Sequence, residues 1–203
     1  MTKRTKKRVY RLTARADSQA ETRLRIVEAA VYLHERLGPA ETPVSAIAER
    51  AGVQRLTVYR HFPDDAAMFA ACTAHWGALN PPPAAALWAR IKDPTDRAAA
   101  ALAEFYGYYS ATQGMWTVAY RDAPKVPPIQ PVLAHFEEHL NTLAESLTAG
   151  FAVKGARRRA LTVTLRHALA FSTWSDLELS GLDTAGKVAL LRDWLDGVRK
   201  SRA

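Results

Sequence analysis

The 203-residue sequence contains a single cysteine, so one chain can form neither an internal disulfide nor a metal site built from several thiolates. It also lacks a membrane span, because the longest uncharged run, 66–89, is interrupted by His75, Asn80 and the prolines at 81–83. No apolar stretch follows the basic N-terminus, as it would in a secretory signal. We therefore predict a cytoplasmic protein with no membrane partner.

Motifs of the common enzyme classes are also missing. We find no nucleophile elbow, phosphate-binding loop, metalloprotease helix or dinucleotide fingerprint. Cys72 lies among alanines in an apolar helical context and is expected to pack rather than react. His135 and His139 have the i, i+4 spacing of a metal pair, but no third ligand is near in sequence. We predict no enzyme, no cofactor and no metal site, and the sequence leaves open whether the two histidines have a role beyond packing.

Acidic residues are absent from the first fifteen positions, which hold seven lysines and arginines. Residues 16–63 contain six basic and six acidic side chains, and residues 64–203 contain fifteen and fourteen, so the net charge of +8 is concentrated in this arm. Such a segment cannot bury enough apolar surface to fold alone, so residues 1–18 are predicted to be a flexible arm. It favours a polyanion, since phosphate neutralisation releases counterions. A solubilising tail is the alternative.

Isoleucine and valine are scarce, with 17 residues against 38 alanines, which favours helix over sheet. Apolar residues recur with a period near 3.6, and we predict an all-α fold of about nine helices. One apolar stripe is expected to end at Gly38, a second near Gly114 and a third at Gly150. The stripes consist of Ile26, Ala30, Leu33 and Leu37; of Ala98, Leu102, Phe105 and Tyr109; of Ile129, Val132, Leu133, Phe136, Leu140, Leu143 and Leu147; and of Val188, Leu191, Leu195 and Val198.

The segment 156–180 is apolar on two sides when plotted as one helix. Leu161, Leu165, Ala168, Leu169 and Leu179 share one side, and Val163, Ala170, Phe171, Trp174 and Leu177 share the other. A helix apolar on two faces must bury both. We expect one face to pack on its own subunit and the other on a second copy, so that 156–180 and 184–200 form a homodimer interface. A fully enclosed central helix is the alternative.

Residues 42–63 have the pattern of two short helices joined by a tight turn. Thr42 suits an N-cap, and Pro43 suits the first helical position, where no N–H donor is missed. Gly52 tolerates the positive φ that a sharp turn needs, and Val53 is expected to fill the corner. Pro63 ends the second helix, because the residue before a proline disfavours helix. The pattern predicts a helix-turn-helix over 43–62.

The second helix of this pair is expected to present a face without acidic residues. Val58 and Phe62 lie one turn apart and should point inward. Arginine pairs with guanine, glutamine with adenine, and hydroxyls with phosphate, so the exposed face has the side chains that read a DNA major groove. A helical hairpin that does not touch DNA is the alternative. The residues expected to be exposed are Gln54, Arg55, Thr57, Arg60 and His61.

The stretches 47–53 (IAERAGV) and 57–63 (TVYRHFP) closely resemble the TetR/AcrR family of bacterial transcriptional regulators, and the resemblance covers about residues 22–76. It implies a homodimer in which each second hairpin helix enters a major groove of a near-palindromic operator. By family position, Arg55 and Leu56 should reach base edges with Gln54 beside them. Thr57, Tyr59 and His61 are expected to contact phosphates, and Arg60 either a phosphate or a base edge. Thr42 and Ser45, at the first hairpin helix, are the other expected DNA contacts.

The chain departs from the family pattern at two places. Leu56 stands where a small residue or proline is common, so an unusual base preference is expected, for example for a thymine methyl. Asp64 and Asp65 stand near the start of the fourth helix, where a phosphate-binding lysine is common. These acids suit a helix N-terminus but would repel phosphate. We expect the arm, through Lys6, Lys7 and Arg8, to supply the missing positive charge.

The resemblance also implies that 19–80 is the DNA-binding domain and that 81–203 is a helical domain for ligand binding and dimerisation. A small molecule would release a repressor by changing the spacing of the two DNA-reading helices. Ordinary core packing is the alternative for the aromatic residues, and a constitutive DNA-binding protein without ligand is the alternative function. The expected pocket residues are Trp76, Phe105, Tyr109, Trp116, His139, Phe171 and Trp174.

Overall fold

The computed structural model describes the backbone of residues 3–200 and, within that range, the side chains from residue 16 onward. Nine α-helices and no β-strand occur in this part of the chain, which confirms the predicted all-α class. No helix between residues 3 and 200 is long and apolar enough to cross a membrane. The helices are α1 (Lys3–Leu37), α2 (Val44–Ala51), α3 (Arg55–His61), α4 (Asp65–Leu79), α5 (Pro94–Asp122), α6 (Ile129–Ala149), α7 (Gly155–Ala168), α8 (Phe171–Glu178) and α9 (Thr184–Lys200).

The chain forms two compact units, and the first of them is not contiguous in sequence. It consists of Met1–Asn80 and Thr117–Gln130, while the second consists of Pro81–Trp116 and Pro131–Ala203. The division after Asn80 falls where the proline run begins. Residues 117–130, which the sequence assigned to the C-terminal domain, belong structurally with the first unit. The functional roles of the two domains stay a prediction.

The core of the first unit is formed by α1, α2, α3 and α4. Ile26 and Ala30 from α1 meet Ile47 from α2, Val58 from α3 and Cys72 from α4, all of them buried. Burying a large apolar side chain contributes about 1.5–3 kcal/mol, so this cluster stabilises the packing of the four helices. Burial raises the pKa of the Cys72 thiol to about 12, which keeps it protonated and confirms its packing role.

The predicted boundary at residue 18 does not correspond to a break in α1. The helix begins at Lys3, so the described backbone of the basic segment is a helical extension of α1. Extending an existing helix avoids the cost of nucleation, which is why a segment unable to fold alone is helical here. The side chains of Lys6, Lys7 and Arg8 lie outside the described residues, and their DNA contacts stay a prediction.

Two details of the predicted helices are wrong. Leu37, placed on the buried stripe of α1, is 45% exposed because it lies in the last turn, beyond the packing with α2 and α4. The second stripe does not stop near Gly114, since α5 runs on to Asp122. Trp116 and Val118 after the glycine are buried, and their packing outweighs the cost of about 1 kcal/mol for a glycine inside a helix.

The second unit has an aromatic core around Tyr106 and Tyr109 of α5. Both side chains are fully buried, and each hydroxyl donates to a backbone carbonyl at the end of α7, Ala168 O at 3.0 Å and Leu169 O at 2.8 Å. Carbonyls at a helix C-terminus have no partner within the helix, so these bonds satisfy two of them. A third bond, from the Thr173 hydroxyl to His167 O at 2.6 Å, completes the junction.

This junction explains why the segment 156–180 is not one helix. α7 ends at Ala168, and α8 begins at Phe171 after an extended residue, Ala170. The helical phase is therefore reset, and Leu179, predicted to share the buried side of α7, is 88% exposed. Val163 is exposed on α7, so the apolar surface available to a second copy lies on two separate helices.

Candidate nucleic-acid interface

The turn between α2 and α3 has the backbone geometry that its sequence predicts. Gly52 adopts the left-handed conformation, with φ 65° and ψ 39°, and its N–H donates to the last carbonyls of α2. Val53 N donates to Ala48 O at 3.0 Å, and the Val53 side chain packs against the core as expected. Because glycine has no Cβ, it adopts this conformation without steric strain. The two helices are thus joined within three residues.

Thr42 does not have the capping role predicted for it. The N-cap of α2 is Pro43, and the hydroxyl of Thr42 donates instead to Gly38 O at 2.7 Å. The physical reason is the short 3₁₀ turn Pro39–Glu41, which brings Gly38 O, already accepting from Glu41 N at 3.3 Å, within reach of the Thr42 hydroxyl. Thr42 is half-buried, and Ser45, one turn further on, is exposed.

Helix α3 is anchored by two buried residues and presents the rest of its surface outward. Val58 and Phe62 are buried in the core of the first unit, as predicted. No acidic residue occurs between Gln54 and Phe62, so the exposed face combines positive charge with neutral donors. Thr57 and His61 are half-buried beside it. The exposed members are Gln54, Arg55, Leu56, Tyr59 and Arg60, and Leu56 is 57% exposed.

Arg23 is a residue of this interface that sequence analysis missed. Its guanidinium carbon lies 4.1 Å from the centroid of the Phe62 ring, and Nη1 donates to His61 O at 3.0 Å. Arg23 also lines a groove of about 480 Å³ with Thr57, Arg60 and His61. Positive and neutral groups alone line this groove, which suits a phosphate. No local pattern could reveal the pairing, because 38 residues separate Arg23 from His61.

Further arginines surround α2. The guanidinium carbons of Arg36 and Arg50 lie 4.3 Å and 3.2 Å from the centroid of the Tyr32 ring. Arg25 Nη1 donates to Ala51 O at 3.3 Å, at the C-terminal end of α2. Cations at a helix C-terminus interact favourably with its dipole. These contacts fix α2 on α1 and add positive charge close to the hairpin.

The two aspartates that depart from the family pattern begin α4. Asp64 is the N-cap, and its Oδ1 accepts from Ala67 N at 2.7 Å. Asp65, the first residue of the helix, is exposed. The prediction that these acids suit a helix N-terminus is confirmed, since the carboxylate and the unpaired N–H groups stabilise each other.

Residues 121 and 122 hold the chain between α1 and α2. Asp122 Oδ2 accepts from Ala40 N at 3.1 Å, and Arg121 Nη2 donates to Leu37 O at 2.7 Å. The two side chains also pair with each other, Arg121 Nε to Asp122 Oδ1 at 2.7 Å. Hydrogen bonding from Arg121 and Ala40 lowers the pKa of Asp122 below its ordinary value. Gly38, with φ 90°, lies against both side chains.

Five of the seven residues predicted to line a ligand pocket pack together in the second unit. Tyr109 lies 5.4 Å from Phe171, ring centroid to centroid, 6.0 Å from Trp174 and 6.3 Å from Trp116. Phe105 completes the group at 6.0 Å from Tyr109. These rings are buried and pack against one another, so they are part of the hydrophobic core, whether or not they also line a ligand pocket.

The remaining two predicted pocket residues are not members of this buried group. His139 is exposed on α6, with its ring centroid 6.4 Å from that of Phe105. Trp76 belongs to α4 and thus to the first unit. His135 is also exposed, and among the described side chains no group of three histidine, cysteine, aspartate or glutamate residues could hold a metal ion. The role of all seven as a ligand pocket stays a prediction.

Comparison with known proteins agrees with this geometry. The family model for bacterial regulatory proteins of the tetR family matches residues 26–72, which extend from the buried part of α1 into α4. Comparison with curated protein sequences gives no significant match.

Solved structures share the fold over most of the chain. A TetR-like transcriptional regulator from Rhodococcus sp. RHA1 is 19% identical, with a TM-score of 0.63 over 89% of this chain and 97% of that chain. The fatty acid degradation regulator FadR from Bacillus halodurans is 16% identical, with a TM-score of 0.57 over 89% and 97%. The multidrug binding protein EbrR, complexed with imidazole, is 18% identical, with a TM-score of 0.55 over 89% of this chain and 91% of that chain.

The resemblance inferred from the helix-turn-helix sequence is therefore confirmed at two levels, one local and one global. Residues 26–72 match the model of bacterial regulatory proteins of the tetR family, and the chain has the fold of TetR-like transcriptional regulators.

Proposed function

We propose that this protein is a sequence-specific DNA-binding repressor that acts as a homodimer and is released from a near-palindromic operator by a small molecule. The observation that carries the proposal is the acid-free exposed face of α3, held on the core by Val58 and Phe62. A helix of this kind, presented outward by a helix-turn-helix, fits the major groove of duplex DNA.

The side chains of α3 divide into base-reading and phosphate-binding groups. Arg55 can pair with guanine, Gln54 with adenine, and Leu56 can contact a thymine methyl. Thr57, Tyr59, Arg60 and His61, with Ser45 on α2, are proposed to bind backbone phosphates. Arg23 joins this second group, because it lines the same groove as Arg60 and His61.

The homodimer is proposed to form through 156–180 and 184–200. Large apolar side chains remain exposed there in the single chain, which supports burial against a second copy. Pairing would set the two α3 helices about 34 Å apart, one turn of the duplex. The exposed apolar residues are Val163, Leu179 and Trp194, together with Leu182 between the two segments.

Release by a small molecule requires a ligand that binds the DNA-incompetent arrangement of the dimer more tightly than the competent one. The aromatic cluster around Tyr109 supports an apolar or aromatic ligand. The similar fold of EbrR, whose structure contains imidazole, also supports a ligand-binding role. A constitutive DNA-binding protein is the alternative, and an operator affinity unchanged by every compound of a metabolite panel would favour it.

The test begins with selection of a preferred duplex from a random library by the full-length protein. Arg55→Ala should weaken binding to that duplex by about 1–3 kcal/mol and relax the preference at one base pair. Arg90→Ala, which removes an exposed arginine from the second unit, is the matched control and should leave affinity unchanged. Equal losses in both variants, or no preferred duplex at all, would contradict the proposal.

A further inference from the structure

The first unit contains a cavity of about 580 Å³ beneath the helix-turn-helix. It lies between the end of α1, the segment 39–44, the adjoining parts of α2, α3 and α4, and residues 125–128. All of these belong to the same compact unit. Its volume is in the range of cavities that hold small organic molecules. It is separate from the aromatic cluster that the proposed function uses, since that cluster belongs to the second unit.

The inner wall of the cavity is apolar and aromatic. Val58 and Phe62 from α3 meet Met68 and Phe69 from α4, with Ile47 from α2 beside them. Four of these five side chains are buried and Phe69 is half-buried. An aromatic or cyclic apolar group placed against this wall would gain stabilisation from the water it displaces.

One polar side chain lies deep in this wall. His34 is only 6% exposed, and its ring stacks on Phe69 with centroids 5.4 Å apart. Among the described residues, no side chain or backbone group forms a hydrogen bond with its ring nitrogens. Burial lowers the pKa of His34 to about 4, so the imidazole is neutral and offers one N–H donor and one nitrogen acceptor. A neutral imidazole that borders a cavity is suited to binding a polar group of a ligand.

The rim of the cavity selects the charge of that ligand. It carries the carboxylates of Glu41, Asp64 and Asp65 against one ammonium group, that of Lys125. Asp64 already accepts a hydrogen bond from the backbone of α4, which leaves Glu41 and the exposed Asp65 as the groups facing a ligand. A cation is favoured near opposite charges, and an anion would be repelled.

We propose that this cavity binds a small amphipathic organic cation, with its apolar ring against Phe62 and Phe69 and its ammonium group between His34 and Asp65. The cavity also includes Tyr59 and Thr42, two of the residues proposed to contact DNA. A ligand that engages Tyr59 removes a phosphate contact, so binding of the cation and of DNA oppose each other. By thermodynamic linkage each weakens the other by the same factor. This regulatory part rests on the proposed function.

The binding site is tested first without DNA, by titration calorimetry of the full-length protein. Tryptamine, tryptophol and indole-3-acetate share one ring system and are respectively cationic, neutral and anionic. Tryptamine should bind at least about tenfold more tightly than the other two, as expected for a charge-assisted hydrogen bond. Three equal affinities, or no binding by tryptamine, would overturn the site.

Variants locate the binding. His34→Phe keeps the stacked ring but removes its nitrogens, and should weaken tryptamine binding by about tenfold. Asp65→Asn, an exposed change that keeps a side chain of the same size, should weaken tryptamine binding by about threefold. Glu145→Gln removes one exposed negative charge in the second unit and should leave the affinity unchanged. Wild-type affinity in both His34→Phe and Asp65→Asn would show that the cation binds elsewhere.

The regulatory part is tested with the selected duplex. Saturating tryptamine should weaken DNA binding by at least about fivefold in the wild-type protein and leave His34→Phe unaffected. Unchanged DNA affinity in a protein that binds tryptamine at His34 would overturn the opposition between the two ligands. If no duplex is bound even without tryptamine, the proposed function fails, whereas the calorimetric result decides the cation site independently.

Discussion

The guanidinium of Arg23 lies over the ring of Phe62 at 4.1 Å and joins the end of α3 to α1. The same side chain donates to His61 O, so one residue of α1 fixes both the last turn of α3, the proposed DNA-reading helix, and the groove in which we propose that a phosphate binds. The orientation of α3 therefore depends on α1 as well as on the hairpin turn.

Arg23→Met should retain the packing of the aliphatic stem and remove the hydrogen bond and the cation–π contact. We expect a loss of about 1 kcal/mol in the free energy of unfolding, measured by urea denaturation, and a larger loss in operator affinity. Arg25→Met is the control on the same helix, since Arg25 binds the end of α2 instead. If Arg25→Met weakens DNA binding as much as Arg23→Met does, the groove beside α3 has no special role.

Gly38→Ala should be among the most destabilising small substitutions in the first unit. Its φ of 90° disfavours any residue with a Cβ, and that Cβ would overlap Arg121 Nη2 and Asp122 Oδ2. A loss of more than about 2 kcal/mol is expected. Gly107→Ala is the matched control, because a Cβ there meets no atom within 4 Å in the middle of α5. It should be neutral or stabilise the protein by up to about 1 kcal/mol in the same denaturation experiment.

Stability should fall as the pH is lowered from about 6.5 towards 4. Burial lowers the pKa of His34 to about 4 in the folded protein, against 6.5 as its ordinary value, so only the unfolded chain takes up a proton in this range. Above pH 6.5 His34 is neutral in both states and costs the folded protein no stability. At pH 5 the protonation of His34 in the unfolded chain lowers the free energy of unfolding by about 2 kcal/mol. His34→Phe should flatten the profile between pH 7 and 5. The pKa of Asp122 is lowered below its ordinary value, so the loss of stability caused by protonation of this carboxylate occurs at a more acidic pH than the effect of His34. An unchanged slope in the variant would contradict the assignment.

Deletion of residues 2–15 should weaken binding to all DNA sequences and reduce its dependence on salt. The segment carries seven positive charges, and each phosphate it neutralises contributes about 0.9 to the slope of log K against log salt concentration. The slope is measured by fluorescence anisotropy at several ionic strengths. A deletion variant with the wild-type slope would mean that the arm is a solubilising tail.

Tyr109→Phe should destabilise the second unit, because it leaves Leu169 O without its donor in a buried site. The expected loss is about 1–3 kcal/mol, with a similar value for Tyr106→Phe at Ala168 O. Thermal denaturation measures both. If neither variant is destabilised, the two hydroxyls do not determine where α7 ends.

Sequence analysis predicted the parts of this structure that depend on local patterns. Val58 and Phe62 are recognisable as inward-facing by their spacing, and Gly52 by its position between two apolar stripes. It failed where distant residues decide the outcome. The break after Ala168 depends on the hydroxyls of Tyr106 and Tyr109, which lie 62 and 60 positions before the carbonyls that they bind. The cavity beside His34 and the pairing of Arg23 with Phe62 likewise depend on contacts that spacing along one helix cannot reveal.

The hydrogen bond between Asp122 and Ala40 spans 82 positions and makes the first unit a module assembled from two pieces of chain. A chimaera that joins residues 1–80 to another C-terminal domain would leave the turn after α1 without the carboxylate of Asp122 and the guanidinium of Arg121. An exchange of the first unit between proteins of this fold would therefore have to include residues 117–130 together with residues 1–80. Otherwise the protein that receives residues 1–80 would have to provide an equivalent Arg-Asp pair.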